Sequence, residues 1–207
     1  MVRIAVLVSG SGTNLQAIIE AIANDEIENA EIRLVVSDRR DAYALDRALN
    51  NGIDTLFLSK KEYSSDVEFC QALEKKMEQF DIDLIVLAGF LSILSDDFVQ
   101  RYEGRIMNIH PSLLPAFGGS GFWGLRVHKA ALEAGVKVTG ASVHFVTSDI
   151  DAGPIILQKA IEVPPGISEK ELQKLVMNKC EWLILPRAID LFCNNRIDLK
   201  DKLVTIK

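Results

Sequence analysis

The sequence lacks long apolar runs and has only three cysteines among its 207 residues. No stretch approaches the roughly 18 apolar residues that a membrane-spanning helix needs, so we expect no membrane association. The cysteines, Cys70, Cys180 and Cys193, are far apart and show no paired metal spacing. Free thiols are typical of a reducing compartment, and the sequence therefore predicts a cytoplasmic protein.

The sequence also lacks an excess of positive charge. Its 23 basic and 29 acidic residues give a formal net charge of -6. We therefore expect no nucleic-acid partner and no anionic membrane surface, although a local basic pocket for one phosphate is compatible with this charge. The apolar run near the N-terminus ends at Ser9, which makes it too short for a secretory signal. Without repeats, low-complexity tracts or linkers, residues 1–207 are expected to form one domain.

The first half alternates short apolar runs with amphipathic stretches, an order typical of βαβ proteins. The run at residues 84–88 has no polar alternation, as in strands that are covered on both faces of a parallel sheet. The pattern predicts strands at residues 4–8, 32–36, 55–58 and 84–88, and helices at residues 14–23, 42–49 and 66–80. We predict an α/β fold with a doubly wound, mostly parallel, Rossmann-like sheet and helices on both faces.

The second half is less regular. Strands are predicted at residues 105–109, 142–146 and 155–161, and the last two are expected to form an antiparallel extension. Ser168 and Glu171 have the spacing of a capping box, which predicts a helix from Ser168 to about residue 192. Pro186 is expected to kink or break that helix.

A glycine-rich segment, Ser9-Gly10-Ser11-Gly12-Thr13-Asn14, separates the first strand from the first helix. Glycines there let backbone N–H groups and the helix N-terminus face an anion. Leu15 replaces the third glycine of a dinucleotide fingerprint, and no Gly-Lys-Ser/Thr of a P-loop follows. The segment predicts a phosphate site without a nucleotide requirement, with a plain strand-to-helix turn as the alternative.

A polar pair lies at the end of the fifth predicted strand. Asn108 and His110 are two residues apart, so in an extended segment both side chains point to the same side. A lone histidine near a strand end is more often structural, but ligands collect beyond the C-terminal ends of parallel strands, so a functional and a structural role are equally plausible here. The pair could hold one reacting group between an amide donor and an imidazole.

An acidic turn, Ser148-Asp149-Ile150-Asp151-Ala152-Gly153-Pro154, supplies a possible partner for His110. A carboxylate at hydrogen-bonding distance is expected to orient the imidazole and raise its pKa. The spacing does not distinguish Asp149 from Asp151, and both are equally consistent with ordinary solvated turn residues. His144 alternates with apolar neighbours and is expected to be structural or to support other residues, while His128 is expected at the surface or a helix end. Three scattered histidines predict no metal site.

Five ordered segments resemble the folate-dependent phosphoribosylglycinamide formyltransferases, which formylate glycinamide ribonucleotide in de novo purine synthesis. The resemblance covers nearly the whole chain. The segments are Ser9-Gly10-Ser11-Gly12-Thr13-Asn14-Leu15-Gln16, Leu87-Ala88-Gly89-Phe90, Asn108-Ile109-His110-Pro111-Ser112-Leu113-Leu114-Pro115, Val143-His144-Phe145-Val146 and Asp151-Ala152-Gly153-Pro154. The resemblance implies a folate-dependent formyltransferase with 10-formyltetrahydrofolate as co-substrate, no metal, and a monomeric or homodimeric state.

The resemblance also implies roles for individual residues. Asn108, His110 and Asp151 match the catalytic residues of the family, which selects Asp151 over Asp149. The match for the ribonucleotide consists of Gly12, Thr13, Asn14 and, across a one-residue insertion, Glu181. The match for the folate consists of Leu91, Ser92, Ile93 and Leu94 at the pterin end, together with Asn108, and the closing loop Thr147, Ser148, Asp149, Ile150 and Asp151.

Two departures from the family affect the expected folate contacts. Asp66 aligns with a residue that is often basic in the family, and Lys60 and Lys61 are the nearby substitutes. The loop after Pro115 is longer than is common and rich in glycine, with Phe122 and Trp123 as possible covers for a ligand.

By this resemblance the substrate amine attacks the formyl carbon directly, while Asn108 and protonated His110 donate hydrogen bonds to the negative oxygen and Asp151 keeps His110 charged. Three alternatives are a formyltetrahydrofolate hydrolase, a methionyl-tRNA formyltransferase and a phosphosugar- or nucleotide-binding module without catalysis. The first usually has an extra N-terminal domain and the second a C-terminal RNA-binding domain, neither of which we expect here. The third leaves Asn108 and His110 without a function.

Overall fold

A seven-stranded sheet forms the centre of the computed structural model, which describes residues 1–207. The strands are β1 (Val2–Val8), β2 (Ala30–Ser37), β3 (Asp54–Phe57), β4 (Leu84–Leu87), β5 (Ile106–His110), β6 (Val138–Phe145) and β7 (Ile155–Glu162). Their order is β3-β2-β1-β4-β5-β6-β7, with β1 to β5 parallel and the last two antiparallel. The predicted doubly wound sheet and its antiparallel extension are confirmed.

Seven helices accompany the sheet: α1 (Thr13–Ala23), α2 (Tyr43–Asn50), α3 (Asp66–Gln79), α4 (Asp96–Arg101), α5 (Leu125–Glu133), α6 (Glu169–Val176) and α7 (Trp182–Cys193). Buried residues of α1, α2, α6 and α7 pack on one face of the sheet, and those of α3 and α4 pack on the other. Along β1, Ile4 and Val6 belong to the first core while Ala5 and Leu7 belong to the second, as the two-residue alternation of a strand requires. None of these helices has the length and hydropathy needed to cross a bilayer.

The central strand β1 explains why the sequence pattern was informative. Its residues Ile4 to Val8 are fully buried because both faces of the sheet are covered by helices. The sequence analysis missed α4 and α5, and also a C-terminal hairpin of strands β8 (Ile197–Lys200) and β9 (Leu203–Ile206). Helix α4 and strands β8 and β9 are short and mostly exposed, so their apolar periodicity is weak, whereas the buried face of α5 includes the polar residue His128.

The long C-terminal helical region begins with the predicted capping box, in which Ser168 accepts from the Glu171 N–H and the Glu171 carboxylate accepts from Ser168. A π-helical segment, Met177–Glu181, separates α6 from α7. Pro186 lies inside α7 without ending it, so the expected disruption is displaced upstream. The π-helical segment ends immediately before Trp182. Trp182 is four residues before Pro186, so its carbonyl is the one with which the proline ring would clash in a regular α-helix.

The strand order positions three loops together. β1, β4 and β5 are neighbours, and the chain turns outward in opposite directions from β1 and β4. In parallel α/β sheets the crevice at such a reversal, beyond the C-terminal strand ends, is where ligands bind. The glycine-rich segment follows β1, residues 91–94 follow β4, and Asn108 and His110 lie at the C-terminal end of β5.

We expect the core on the α3 side to be sensitive to truncation. Phe69 is fully buried there, so Phe69→Ala should lower the free energy of unfolding by about 3–5 kcal/mol. Val67 lies on the same helix but is 43% exposed, and Val67→Ala should change it by less than about 0.5 kcal/mol. Urea unfolding of both variants measures the difference, and equal losses would contradict the packing described here.

Candidate active site

Strand β5 places Asn108 and His110 on the same side of the sheet edge. Asn108 pairs with Leu87, the last residue of β4, and lies opposite His144 of the antiparallel strand β6. The Asn108 Nδ2 atom is 3.1 Å from His144 Nε2, and His144 Nδ1 is 2.9 Å from the Phe145 carbonyl oxygen. With its proton on Nδ1, His144 accepts from Asn108 and fixes the orientation of that amide. His144 therefore supports Asn108.

The loop between β6 and β7 brings Asp151 to this pair. Asp151 Oδ2 is 3.4 Å from His110 Nδ1, and Asp151 Oδ1 is 3.5 Å from Asn108 Nδ2 and 3.6 Å from His144 Nε2. The Asp151 side chain is only 11% exposed. Asp149 is exposed, and its backbone carbonyl accepts from the Thr147 hydroxyl. The structure thus places Asp151, and not Asp149, beside His110.

The glycine-rich loop after Pro115 completes the surroundings of these side chains. The Phe117 carbonyl oxygen is 2.8 Å from His110 Nε2, and the Gly119 N–H donates to Asp151 Oδ2 at 2.9 Å. Phe117 has a φ of 53°, a left-handed conformation that is uncommon outside glycine. Sequence reasoning missed both contacts because they are made by peptide groups, which leave no signature in side-chain identity.

Burial controls the protonation of His110, which is 4% exposed. Burial lowers the pKa of His110 below its ordinary value, and the opposing effects of Asp151 and the Phe117 carbonyl are smaller. Asp151 raises this pKa as expected, but burial outweighs its effect. Burial also raises the pKa of Asp151, but His144, His110 and the Gly119 N–H together bring it below its ordinary value. Asp151 is ionised at neutral pH.

His128 does not lie at the surface or at a helix end as expected. It belongs to the interior of α5 and is 1% exposed, with neither ring nitrogen hydrogen-bonded. Burial, with a smaller effect of His110, lowers its pKa to about 4, so the ring is neutral at physiological pH. The sequence pattern failed because the helix turns Val127, His128 and Ala131 inward together.

The predicted phosphate loop has the conformation that its glycines suggest. Gly12 has a φ of 71° and begins α1, and a Cβ at this position would lie 2.6 Å from Ala44 Cβ. Arg47 Nε donates to the Ser11 carbonyl at 2.8 Å, which holds the loop against α2. The backbone N–H groups of Thr13 and Asn14, in the first turn of α1, have no intrahelical partner and are available to an anion.

Glu181 reaches the same loop from the opposite direction. It ends the π-helical segment, is 6% exposed, and accepts from Asn14 Nδ2 at 2.7 Å. Burial raises the pKa of Glu181 to about 7, against the smaller effect of Asn14. Asn14 Oδ1 is buried without a hydrogen-bond partner and can accept from a ligand hydroxyl.

The remaining predicted site residues line the same side of the molecule. Residues 91–94 follow β4. Leu91 and Ile93 are 41% and 56% exposed, whereas Ser92 and Leu94 are partly buried. Thr147, Ser148 and Ile150 lie in the loop that carries Asp151 and are half-buried or exposed. These segments offer apolar and main-chain surface beside the Asn108–His110–Asp151 cluster.

The two departures from the expected pattern are visible in the structure. Lys60 Nζ is 2.6 Å from Asp66 Oδ1, so the acidic residue at this position is paired with one of its proposed substitutes. Trp123 is 47% exposed and its ring stacks with Arg126 at 4.6 Å. No group of three His, Cys, Asp or Glu side chains is arranged to hold a metal ion.

Comparisons with known proteins agree with this geometry. The family model described as formyl transferase matches residues 2–189. Phosphoribosylglycinamide formyltransferase of Haemophilus influenzae is 40% identical over 203 residues, which are 98% of this chain and 92% of that protein. The structure of glycinamide ribonucleotide transformylase 1 from Symbiobacterium toebii superposes with a TM-score of 0.93 and 42% identity, covering 100% of this chain and 94% of the other.

The human trifunctional purine biosynthetic protein adenosine-3 is 44% identical over 197 residues, or 95% of this chain. The chain spans only 19% of the length of that protein. The similarity to the shorter bacterial protein extends over nearly its full length. The chain therefore belongs to the phosphoribosylglycinamide formyltransferase family of formyl transferases.

Proposed function

We propose that this chain transfers the formyl group of 10-formyltetrahydrofolate to the amine of glycinamide ribonucleotide, a step of de novo purine synthesis. The observation that carries the proposal is the convergence of Asn108, His110 and Asp151 at the strand ends between a phosphate loop and the exposed segment at residues 91–94. A binding module needs no such buried cluster of amide, imidazole and carboxylate.

The ribonucleotide is assigned to the loop at the start of α1. Its phosphate would accept from the backbone N–H groups of Gly12, Thr13 and Asn14 at the positive end of the helix. Its ribose hydroxyls would meet the free Asn14 Oδ1 atom and the buried carboxyl group of Glu181. Asn14 Oδ1 can accept a hydrogen bond from a hydroxyl, and the Glu181 carboxyl can accept one or, when protonated, donate one.

The folate is assigned to the opposite side of the cluster. Its pterin end would lie against Leu91, Ser92, Ile93 and Leu94, and the loop Thr147, Ser148, Asp149 and Ile150 would close over it. The exposed apolar side chains of Leu91 and Ile93 suit a flat ring system. The formyl carbon would then face Asn108.

In the proposed reaction the amine nitrogen bonds to the formyl carbon, and the bond from that carbon to the folate nitrogen breaks. The amine loses one proton and the folate nitrogen gains one. One N–H of Asn108 is committed to His144, and the other faces Asp151 over a long 3.5 Å contact that a ligand oxygen can replace. Asn108 therefore donates to the negative oxygen of the tetrahedral centre.

His110 is proposed to carry the proton. Its lowered pKa favours the neutral ring before attack, in contrast to the expectation that it begins protonated. With Nε2–H donating to Phe117, Nδ1 is free to take the amine proton. The resulting cation lies between the Phe117 carbonyl and the Asp151 carboxylate, which stabilise it until the proton passes to the folate nitrogen.

We further propose a monomer or homodimer that acts on these small molecules in the cytoplasm. The three cysteines are all free and buried, in keeping with a reducing compartment. Size-exclusion chromatography with light scattering measures the assembly state directly.

The activity test is the release of tetrahydrofolate, followed by absorbance, from 10-formyltetrahydrofolate with and without glycinamide ribonucleotide. We expect turnover only when both are present, because the protein supplies no nucleophile of its own. Turnover without the ribonucleotide would indicate a hydrolase instead. No turnover in either mixture, from folded protein, would refute the proposed reaction.

Asn108→Ala should reduce kcat by about 100- to 1,000-fold, the usual cost of losing one oxyanion donor. The fold should persist, since the Asn108 side chain is only partly buried. Asn50→Ala, at the exposed end of α2, is the matched control and should keep wild-type kcat. Wild-type turnover in Asn108→Ala, measured in the same absorbance assay, would exclude Asn108 as the donor.

Asp151→Asn should lower kcat by about 100-fold or more, because it removes the carboxylate that stabilises the His110 cation. Without that carboxylate the pKa of His110 falls further. Since the reaction needs neutral His110 at the start, activity is lost as pH falls through this pKa, and the acid limb of the pH–kcat/KM profile should shift to lower pH. Asp198→Asn, on the exposed C-terminal hairpin, is the control and should leave rate and profile unchanged. An unshifted acid limb in Asp151→Asn would contradict this coupling.

A further inference from the structure

The segment at residues 90–94 has an unusual hydrogen-bonding state. None of these residues takes part in a backbone–backbone hydrogen bond, in or outside the sheet and helices. Unpaired peptide groups at a protein surface are free to bind water or a ligand. No hydrogen bond between main-chain groups therefore fixes where this segment lies. Its position depends on side chains: Phe90 and Leu94 pack against the core on the α3 side, and polar side chains hold the residues between them.

One of these side chains is Ser9, which directly follows β1. Its hydroxyl oxygen accepts from the Leu91 N–H at 2.8 Å, and its own N–H donates to the Gly89 carbonyl at 3.2 Å. Ser9 is 3% exposed, so the contact to Leu91 is shielded from water. These two hydrogen bonds connect the segment after β4 to the segment after β1.

The second side chain is Asp38, which directly follows β2. Its Oδ2 atom accepts from the Ser92 hydroxyl at 2.7 Å. The next contact along the chain is from the Ser95 N–H to Cys70 Sγ at 3.1 Å, beyond the segment. Ser9 and Asp38 thus hold two consecutive residues, Leu91 and Ser92, from two different strands of the sheet.

The two ends of the Ser9 contact differ in rigidity. Ser9 continues a fully buried strand, and its loop is independently held by the Ala44 N–H on the Gly10 carbonyl and by Arg47 on the Ser11 carbonyl. Leu91 has no other hydrogen bond. Loss of the Ser9 hydroxyl should therefore displace the Leu91 segment and leave the phosphate loop in place.

We propose that Ser9 and Asp38 are positioning residues for the formyl folate: through Leu91 and Ser92 they hold the segment on which the pterin end binds. The inference rests on the proposed function, since it assigns the folate to residues 91–94. Neither side chain needs to contact the reacting atoms. Their effect is on folate affinity, separate from affinity for the ribonucleotide and from the proton transfer at His110.

The test compares steady-state constants for both substrates. Ser9→Ala and Asp38→Ala should each raise KM for 10-formyltetrahydrofolate by about three- to tenfold, the usual effect of one lost hydrogen bond. KM for glycinamide ribonucleotide should stay within twofold of wild type. Asp38→Asn keeps an acceptor for the Ser92 hydroxyl and should restore most of the folate KM.

Ser168→Ala is the control for general destabilisation. It removes a serine hydroxyl that caps α6, far along the chain from the segment, and should leave both KM values unchanged while lowering stability. A double-mutant cycle of Asp38→Ala and Ser92→Ala isolates their contact, because two variants that break the same bond should not have additive effects. Additive effects, or equal rises in both KM values, would overturn the proposal.

Equilibrium binding of tetrahydrofolate to the same variants distinguishes this inference from the proposed reaction. If the wild type binds tetrahydrofolate but turns nothing over, the reaction is refuted, and the ratios of dissociation constants still decide the roles of Ser9 and Asp38. If Ser9→Ala binds tetrahydrofolate as tightly as the wild type, the inference is refuted while the reaction stands. If the wild type neither binds tetrahydrofolate nor shows turnover, both the inference and the proposed reaction are refuted.

Discussion

The carboxylate of Asp151 is the group on which the arrangement of the polar cluster depends. A largely buried carboxylate is costly unless it is neutralised and hydrogen-bonded, and here two imidazoles, one amide and a backbone N–H surround it. These partners come from β5, from β6 and from the loop after Pro115. The Asp151 carboxylate is therefore stabilised only when the antiparallel extension, the parallel sheet and the loop after Pro115 come together at one place.

Most of the architecture followed from the sequence because the parallel strands are buried on both faces. Residues 4–8 and 84–88 contain no polar alternation, and their positions in the sheet explain why. The antiparallel strands were located as well, since β-branched residues are frequent in them. The C-terminal hairpin and α4 were missed because short, exposed elements bury too little apolar surface to create a pattern.

Only those features of the candidate site that follow from the types and spacing of its side chains could be predicted from the sequence. The spacing of Asn108 and His110 gave their common direction, while the choice between Asp149 and Asp151 came from resemblance and was physically a tie. The structure separates them because a bend in the loop buries one and exposes the other. The net direction of the His110 pKa shift was not predictable for a related reason: the sequence shows a neighbouring charge, but the effect of burial depends on everything packed around the ring.

The contacts of Phe117 and Gly119 with His110 and Asp151 are made entirely by peptide groups. A change of side chain at residue 117 therefore leaves its hydrogen bond in place, whereas Gly119, with a φ of 90°, has a backbone conformation that favours glycine. What selection must preserve is the path of the loop, including the left-handed turn at residue 117, where glycine or asparagine would serve as well as phenylalanine. The His110 ring is then oriented by the backbone conformation of the loop, and not by the chemistry of the loop's side chains.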